Sequence, residues 1–333
     1  LFRRLNRTPG GTAVLVGMRA RLLDRIKHDS GLIAVDADLQ HLLTSWFNPG
    51  FLRLVQVDWR SPAALLERII RHEAVHEIDG WNDLRRRLEP DRRCFAFFHP
   101  ALPDEPLIFV EVALVPQMPD AIAPLLARDL PGEGIDPGRF KVAVFYSISN
   151  CQPGLRGVNL GNFLIKQVAE HLSREFPGLR TFCTLSPIPS FANWLLHLDA
   201  IEAPRLKPAR RAHLSAVLAG LRERHASDAA SLSKTVQAPK IVEADRQALT
   251  SLCAYYLSQL SASPSGDPVA RFHLHNGARL ERINFAADLS RKGLKQSLGL
   301  MVNYLYDLDQ IETNHERFVD GQVSASRAVL GLL

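Results

Sequence analysis

Three groups of residues carry side chains able to do chemistry. The first is Arg156 with Gly154, Gly157 and Gly161, inside the run VAVFYSISNCQPGLRGVNLGNFLIKQVAEHLSREFPGLRTFCTLSPIPSF that spans residues 142–191. Glycines at a strand-to-helix turn let backbone amides approach an anion, and the helix start adds the positive end of its dipole. Such a turn suits a diphosphate, although it lacks the Lys-Ser/Thr end of a P-loop and its spacing is not GxGxxG. The same glycines would also serve a plain strand-to-helix connection. The second group is Ser186, before Pro-Ile-Pro, and His273, in RFHLHNGA. A hydroxyl at a strand end is held at a fixed point, but a serine there equally caps the following turn, and no G-x-S-x-G elbow surrounds it. His273 and His275, two apart in a segment read as extended, would face one side; the plainer alternative is one core and one surface histidine. The third group is His72-Glu73-Ala74-Val75-His76, an HExxH pattern. On a helix its two imidazoles could hold zinc with Glu73 as base. No third ligand follows at metzincin spacing, and Asp79-Gly80 would end that helix, leaving His76 at a terminus where the dipole favours it.

The elements that must position these residues follow from hydrophobic period. Residues 142–148 are apolar and β-branched, a buried strand; 150–162 form a Gly/Pro loop; 163–176 have helical spacing; Gly178 ends that helix and 180–185 form another strand. Before this unit, 12–28, 36–46, 61–72 and 79–88 read as helices, so residues 1–90 form an all-helical layer. From Arg93 the period shortens, giving strands at 94–99, 106–115 and 139–149 and a short helix at 120–127. After it come helices at 191–198, 208–224 and 242–260. Residues 226–239 are polar and read as a mobile excursion, and 261–268 as a loop. Strands are expected at 280–286 and 298–306, with helix from Ile311 onward.

Composition narrows the function classes. At 333 residues, 46% apolar and 23% charged, the chain is an ordinary globular protein with room for one large or two smaller domains. No apolar run approaches membrane-spanning length and no signal peptide is visible, so a cytoplasmic location is expected. The chain starts at Leu1 rather than Met, so an N-terminal piece is expected to precede it. The net charge of +5 suits a polyanionic ligand; no nucleic-acid motif accompanies it. Four cysteines, none in CxxC spacing, indicate neither zinc nor a redox pair. Three lie in apolar stretches and read as buried thiols, while Cys151, in the loop, is expected to be exposed.

The segment Arg156-Gly-Val-Asn-Leu-Gly161 resembles the pyrophosphate loop of GNAT-type acyl-CoA enzymes, R/Q-x-x-G-x-G/A, with Asn159 where a glycine is usual. The wider text FYSISNCQPGLRGVNLGNFLIK, followed by LSPIPSF and later by RFHLHNGARLERINFAADLSRKGLKQSLGLMVNYLY, resembles the malonyl-CoA decarboxylase family from about Leu22 to the end. The resemblance implies a fold: a GNAT-like α/β mixed sheet flanked by helices over 91–333, after the helical domain 1–90, which would make homo-oligomer contacts. It implies malonyl-CoA as substrate, with acetyl-CoA and CO2 as products. Carried over by motif, Ser186 and His273 are the catalytic residues, and Arg156, Gly157, Val158, Asn159, Leu160, Gly161 and Asn162 hold the coenzyme diphosphate and pantetheine arm.

The chemistry of that substrate defines what the protein must supply. Losing CO2 from a malonyl thioester leaves a carbanion that the thioester delocalises as an enolate, so neither an organic cofactor nor a metal is expected. The protein must orient the breaking bond and deliver a proton. On this reading His273, with a pKa near neutrality, protonates the α-carbon, and Ser186 hydrogen-bonds the malonyl carboxylate. The rival readings are an acyl-CoA-dependent acyltransferase, a zinc peptidase at His72, Glu73 and His76, and a non-catalytic coenzyme A-binding module.

Overall fold

The computed structural model describes residues 1–127, 136–158, 160, 164–202, 206–225, 228–238, 242–263 and 265–333. The described chain is mixed α/β and divides into two compact units. One is built on Leu1–Leu114 and Ser147–Glu175, the other on Val115–Ala127, Gly138–Tyr146 and Phe176–Leu333.

The first unit begins with the helices Gly11–Arg25 and Ile33–Trp46, which follow the expected period. Residues 53–57, read as part of the helical layer, are instead strand β1 (Arg53–Val57). The alternation Leu54, Val55, Gln56, Val57 is a period-2 pattern too short to stand out beside four helices. β1 pairs antiparallel with β2 (Arg92–Phe98), and β2 with β3 (Ile108–Val115). The helices Ala63–His72 and Gly80–Arg87 contribute Leu66, Ile69 and Leu84 to a core with Val57, Cys94, Ala96, Phe109 and Cys151. Burying each of the larger aliphatic side chains contributes about 1.5–3 kcal/mol. Cys151, expected to be exposed, is 1% exposed, because its amide donates to Leu107 O and draws the loop start into this core.

The second unit carries the mixed sheet. β4 (Val142–Asn150) runs parallel to β5 (Thr181–Thr184), with Val144 opposite Cys183. That is the sense a strand–loop–helix–strand order requires; the helix between them in sequence, Leu164–Glu175, belongs to the first unit. β6 (Ser186–Pro187) and β7 (Arg279–Asn284) both pair antiparallel with β8 (Met301–Leu305), and β5 meets β8 at Cys183 and Leu305. Ser186 therefore lies within a short strand of its own, one residue past β5, rather than at a strand end.

Three further expectations change. Residues 229–237 form a helix, Ala229–Gln237, capped by Asp228 at the amides of Ala230 and Ser231, with Leu232 and Val236 buried. Polar composition hid two apolar residues at helical spacing; residues 226, 227 and 239 lie outside the described residues. The segment around His273 is the helix Pro268–His275, not extended. Past Ile311 the chain forms two short helices, Ile311–Val319 and Arg327–Leu330, rather than one.

Candidate active site

Ser186 and His273, 87 positions apart in sequence, meet: Ser186 Oγ lies 3.0 Å from His273 Nε2. The sheet places the serine. β6 sets Ser186 opposite Val302 of β8, and Leu185, fully buried, fixes the break between β5 and β6. The helix places the histidine. Asp267 is its N-cap, accepting from the amides of Val269 (2.9 Å) and Ala270 (3.1 Å), with Pro268 at the first helical position. The other Asp267 oxygen accepts from the Ser190 amide at 3.0 Å, tying the helix start to the chain just past Ser186. At the far end Gly277 has φ +80°, and an added Cβ would lie 2.2 Å from Ile311 O. Ala270, His273 and Leu274, at i, i+3 and i+4, form the buried face. His275 falls off that face and packs edge-on against His315, ring centroids 4.8 Å apart.

Three residues complete the site that sequence reasoning did not single out. Tyr306 OH lies 2.8 Å from His273 Nδ1, the Tyr304 ring stacks on the imidazole at 4.6 Å and 26°, and Thr184 Oγ1 accepts the Ser186 hydroxyl at 2.8 Å. A signal was available. Thr184 and Ser186 are two apart, as are Tyr304 and Tyr306, and residues at that spacing in extended chain share a face. Ser186 and His273 are 5% and 4% exposed. Burial pushes the His273 pKa down to about 3, so the imidazole is neutral near pH 7, contrary to the near-neutral value expected. The same burial pushes the Tyr304 and Tyr306 phenols well up. The site is thus a chain of uncharged hydrogen-bonding groups into which a substrate carboxylate would bring a formal charge.

The predicted coenzyme loop lies in the first unit. The Arg156 side chain is exposed, and Val158 and Leu160 are buried. Gly157 has φ +76°, which accounts for glycine there. Gly154 is a packing glycine: an added Cβ would lie 2.0 Å from Val16 O. The amides of Arg156 and Val158 close local turns onto Pro153 O and Leu155 O, so the expected cradle of free amides does not include Val158. Arg19, 1% exposed and paired with Asp36 at 2.8 Å, donates from Nη1 to the carbonyls of Gly154 (2.9 Å) and Arg156 (2.8 Å). Gln40 donates to Gly157 O at 2.8 Å. Asn159, Gly161 and Asn162 lie outside the described residues.

The HExxH pattern is not a helical metal site. The helix ends at His72, and Glu73 takes an extended conformation. Its carboxylate accepts from the Val75 and His76 amides (2.8 and 2.7 Å) and from the hydroxyls of Ser147 and Ser149, which makes it the fastening of a turn. Among the described residues no three His, Cys, Asp or Glu side chains are grouped to hold a metal ion.

Comparison with known proteins shows the family. The profile of the malonyl-CoA decarboxylase C-terminal domain matches residues 50–333, and that of the N-terminal domain matches residues 1–47. The chain belongs to the malonyl-CoA decarboxylase family. It is 37% identical to the mitochondrial malonyl-CoA decarboxylase of Mus musculus over 345 residues, covering 100% of this chain and 70% of that protein. Against the Rattus norvegicus protein the identity is 36%, with the same coverage. The crystal structure of malonyl-CoA decarboxylase from Rhodopseudomonas palustris superimposes with a TM-score of 0.83 at 49% identity, covering 98% of this chain and 77% of that one. The corresponding structure from Cupriavidus metallidurans gives 0.83 at 45% identity, covering 100% and 81%.

Proposed function

We propose that this chain converts malonyl-CoA to acetyl-CoA and CO2 at Ser186 and His273. The observation that carries this reading is the 3.0 Å contact between the two side chains in a buried, uncharged site of a malonyl-CoA decarboxylase family member. Ser186 donates to the malonyl carboxylate and holds it so that the breaking C–C bond lies across the thioester plane. Departure of CO2 leaves the enolate, and His273 gives its Nε2 proton to the α-carbon. Loss of that proton alone would leave an imidazolate, so Nδ1 takes the Tyr306 proton as Nε2 gives up its own, and the phenolate, which burial disfavours, is returned to the phenol by a proton from solvent. The imidazole stays neutral throughout, as a strongly basic carbanion permits.

Arg156, with the loop through Asn162, is the proposed grip on the coenzyme diphosphate. Its exposed guanidinium and the net charge of +5 support that role. The strand–loop–helix order supports a GNAT-like ancestry for the coenzyme-binding part. Exposed Val14, Met18 and Ile33 on the N-terminal helices support homo-oligomer contacts there. Among the described residues no helix is long and apolar enough to cross a membrane, and a cytoplasmic site of action is proposed. The test is purified chain with malonyl-CoA, with and without an amine acceptor. Equal CO2 and acetyl-CoA in both arms supports decarboxylation; acylated amine without CO2 overturns it.

A further inference from the structure

The Ser186 hydroxyl has one proton, and its destination decides the state of the histidine. Ser186 donates to Thr184 Oγ1 at 2.8 Å. Its 3.0 Å contact with His273 must then be a bond it accepts, so Nε2 carries a hydrogen. A neutral imidazole has one N–H, so Nδ1 is an acceptor and its partner at 2.8 Å, Tyr306, donates. Thr184 is built to stay in place. It is fully buried, its Oγ1 also accepts the Tyr304 amide at 3.2 Å, and its carbonyl accepts Asn303 Nδ2 at 2.7 Å. Asn303 Oδ1 in turn accepts from Asn284 Nδ2 at 2.7 Å and from Arg282 Nε at 3.1 Å.

We infer that Thr184 is a positioning residue of the decarboxylation: by taking the Ser186 proton in the free protein, it makes His273 carry its own proton on Nε2, the atom facing Ser186. This rests on the reading of Ser186 and His273 given above. When substrate binds, its carboxylate replaces Thr184 as acceptor of the Ser186 proton, and the histidine keeps the same tautomer. Without the threonine hydroxyl, the acceptor left to Ser186 in the free protein is Nε2. The imidazole then shifts to the Nδ1–H form, donates to Tyr306, and has no proton on the atom that must supply one.

The test is NMR of protein labelled with 15N-histidine near pH 7, the His273 signals being identified by their loss in His273→Gln. The expected result is a protonated Nε2 with an unprotonated Nδ1; an Nδ1–H form or an imidazolium overturns the inference. Thr184→Val keeps the shape and removes the acceptor. It should switch the tautomer and lower kcat at least about 30-fold, within the range of general acid catalysis, with KM within about twofold. Thr184→Ser should restore both. Thr184→Val with the original tautomer and full kcat overturns the inference, and the wild-type spectrum decides it should that variant fail to fold. Full turnover by Ser186→Ala and His273→Ala would instead sink the reading of the site; inactivity of both beside an Nδ1–H wild type sinks only the role of Thr184.

Discussion

At the scale of single residues, burial acts most directly on the chemistry at His273. Its pKa is about 3 in the folded chain against 6.5 for the free side chain, because burial opposes the imidazolium. The unfolded chain therefore binds more protons between those values. The stability tied to keeping His273 neutral is complete above about pH 6.5 and is lost as pH falls toward 3. Urea unfolding at about pH 7.5 and about pH 4.5 should show wild type losing about 3 kcal/mol more than His273→Gln, from about 1.4 kcal/mol per unit over the two units below 6.5. Equal losses would mean that the folded imidazole titrates normally. The sequence placed Ser186 and His273 as candidates by motif, and the fold brought them together. Their supports were harder to find, since Thr184, Tyr304 and Tyr306 have types common in any strand, and their meaning lies in a register that only tertiary pairing sets.

At the scale of elements, one helix cap and one buried arginine hold the parts. The helix carrying His273 starts on Asp267, whose two oxygens serve three amides: Ser190, Val269 and Ala270. Asp267→Ala removes a cap and strands the Ser190 amide, so thermal or chemical unfolding should show a loss of about 2–4 kcal/mol. Retention of full stability would show that Pro268 alone suffices to start the helix. Asp267-Pro268 is itself a helix-start signature, but it sat in a Ser/Pro/Gly-rich stretch whose composition read as loop. Arg19 is the corresponding device at the loop proposed to hold the coenzyme, joined to the carbonyls of Gly154 and Arg156 from 135 and 137 positions away. Arg19→Lys keeps the charge beside Asp36 and loses the fork. Hydrogen bonds of about 1 kcal/mol each then predict a KM for malonyl-CoA raised about tenfold with kcat nearly unchanged. An unchanged KM would detach Arg19 from coenzyme binding. One arginine among 40 basic residues gives no sign in sequence that it is buried; a contact at that separation can be seen only in the fold.

At the scale of the whole molecule, the chain spans about 70% of its mammalian relatives and matches both domains of the family. The proposed serine and histidine, Tyr306 and the described part of the basic loop all lie within the residues matched by the family's C-terminal domain. The decisive measurement is CO2 release from malonyl-CoA by wild type, Ser186→Ala and His273→Ala, with coenzyme A binding measured in parallel. The account predicts release by wild type, a fall of at least about 100-fold in each variant, as loss of a positioned proton donor or orienting group typically gives, and nearly unchanged coenzyme A affinity. Wild-type rates in both variants would contradict it.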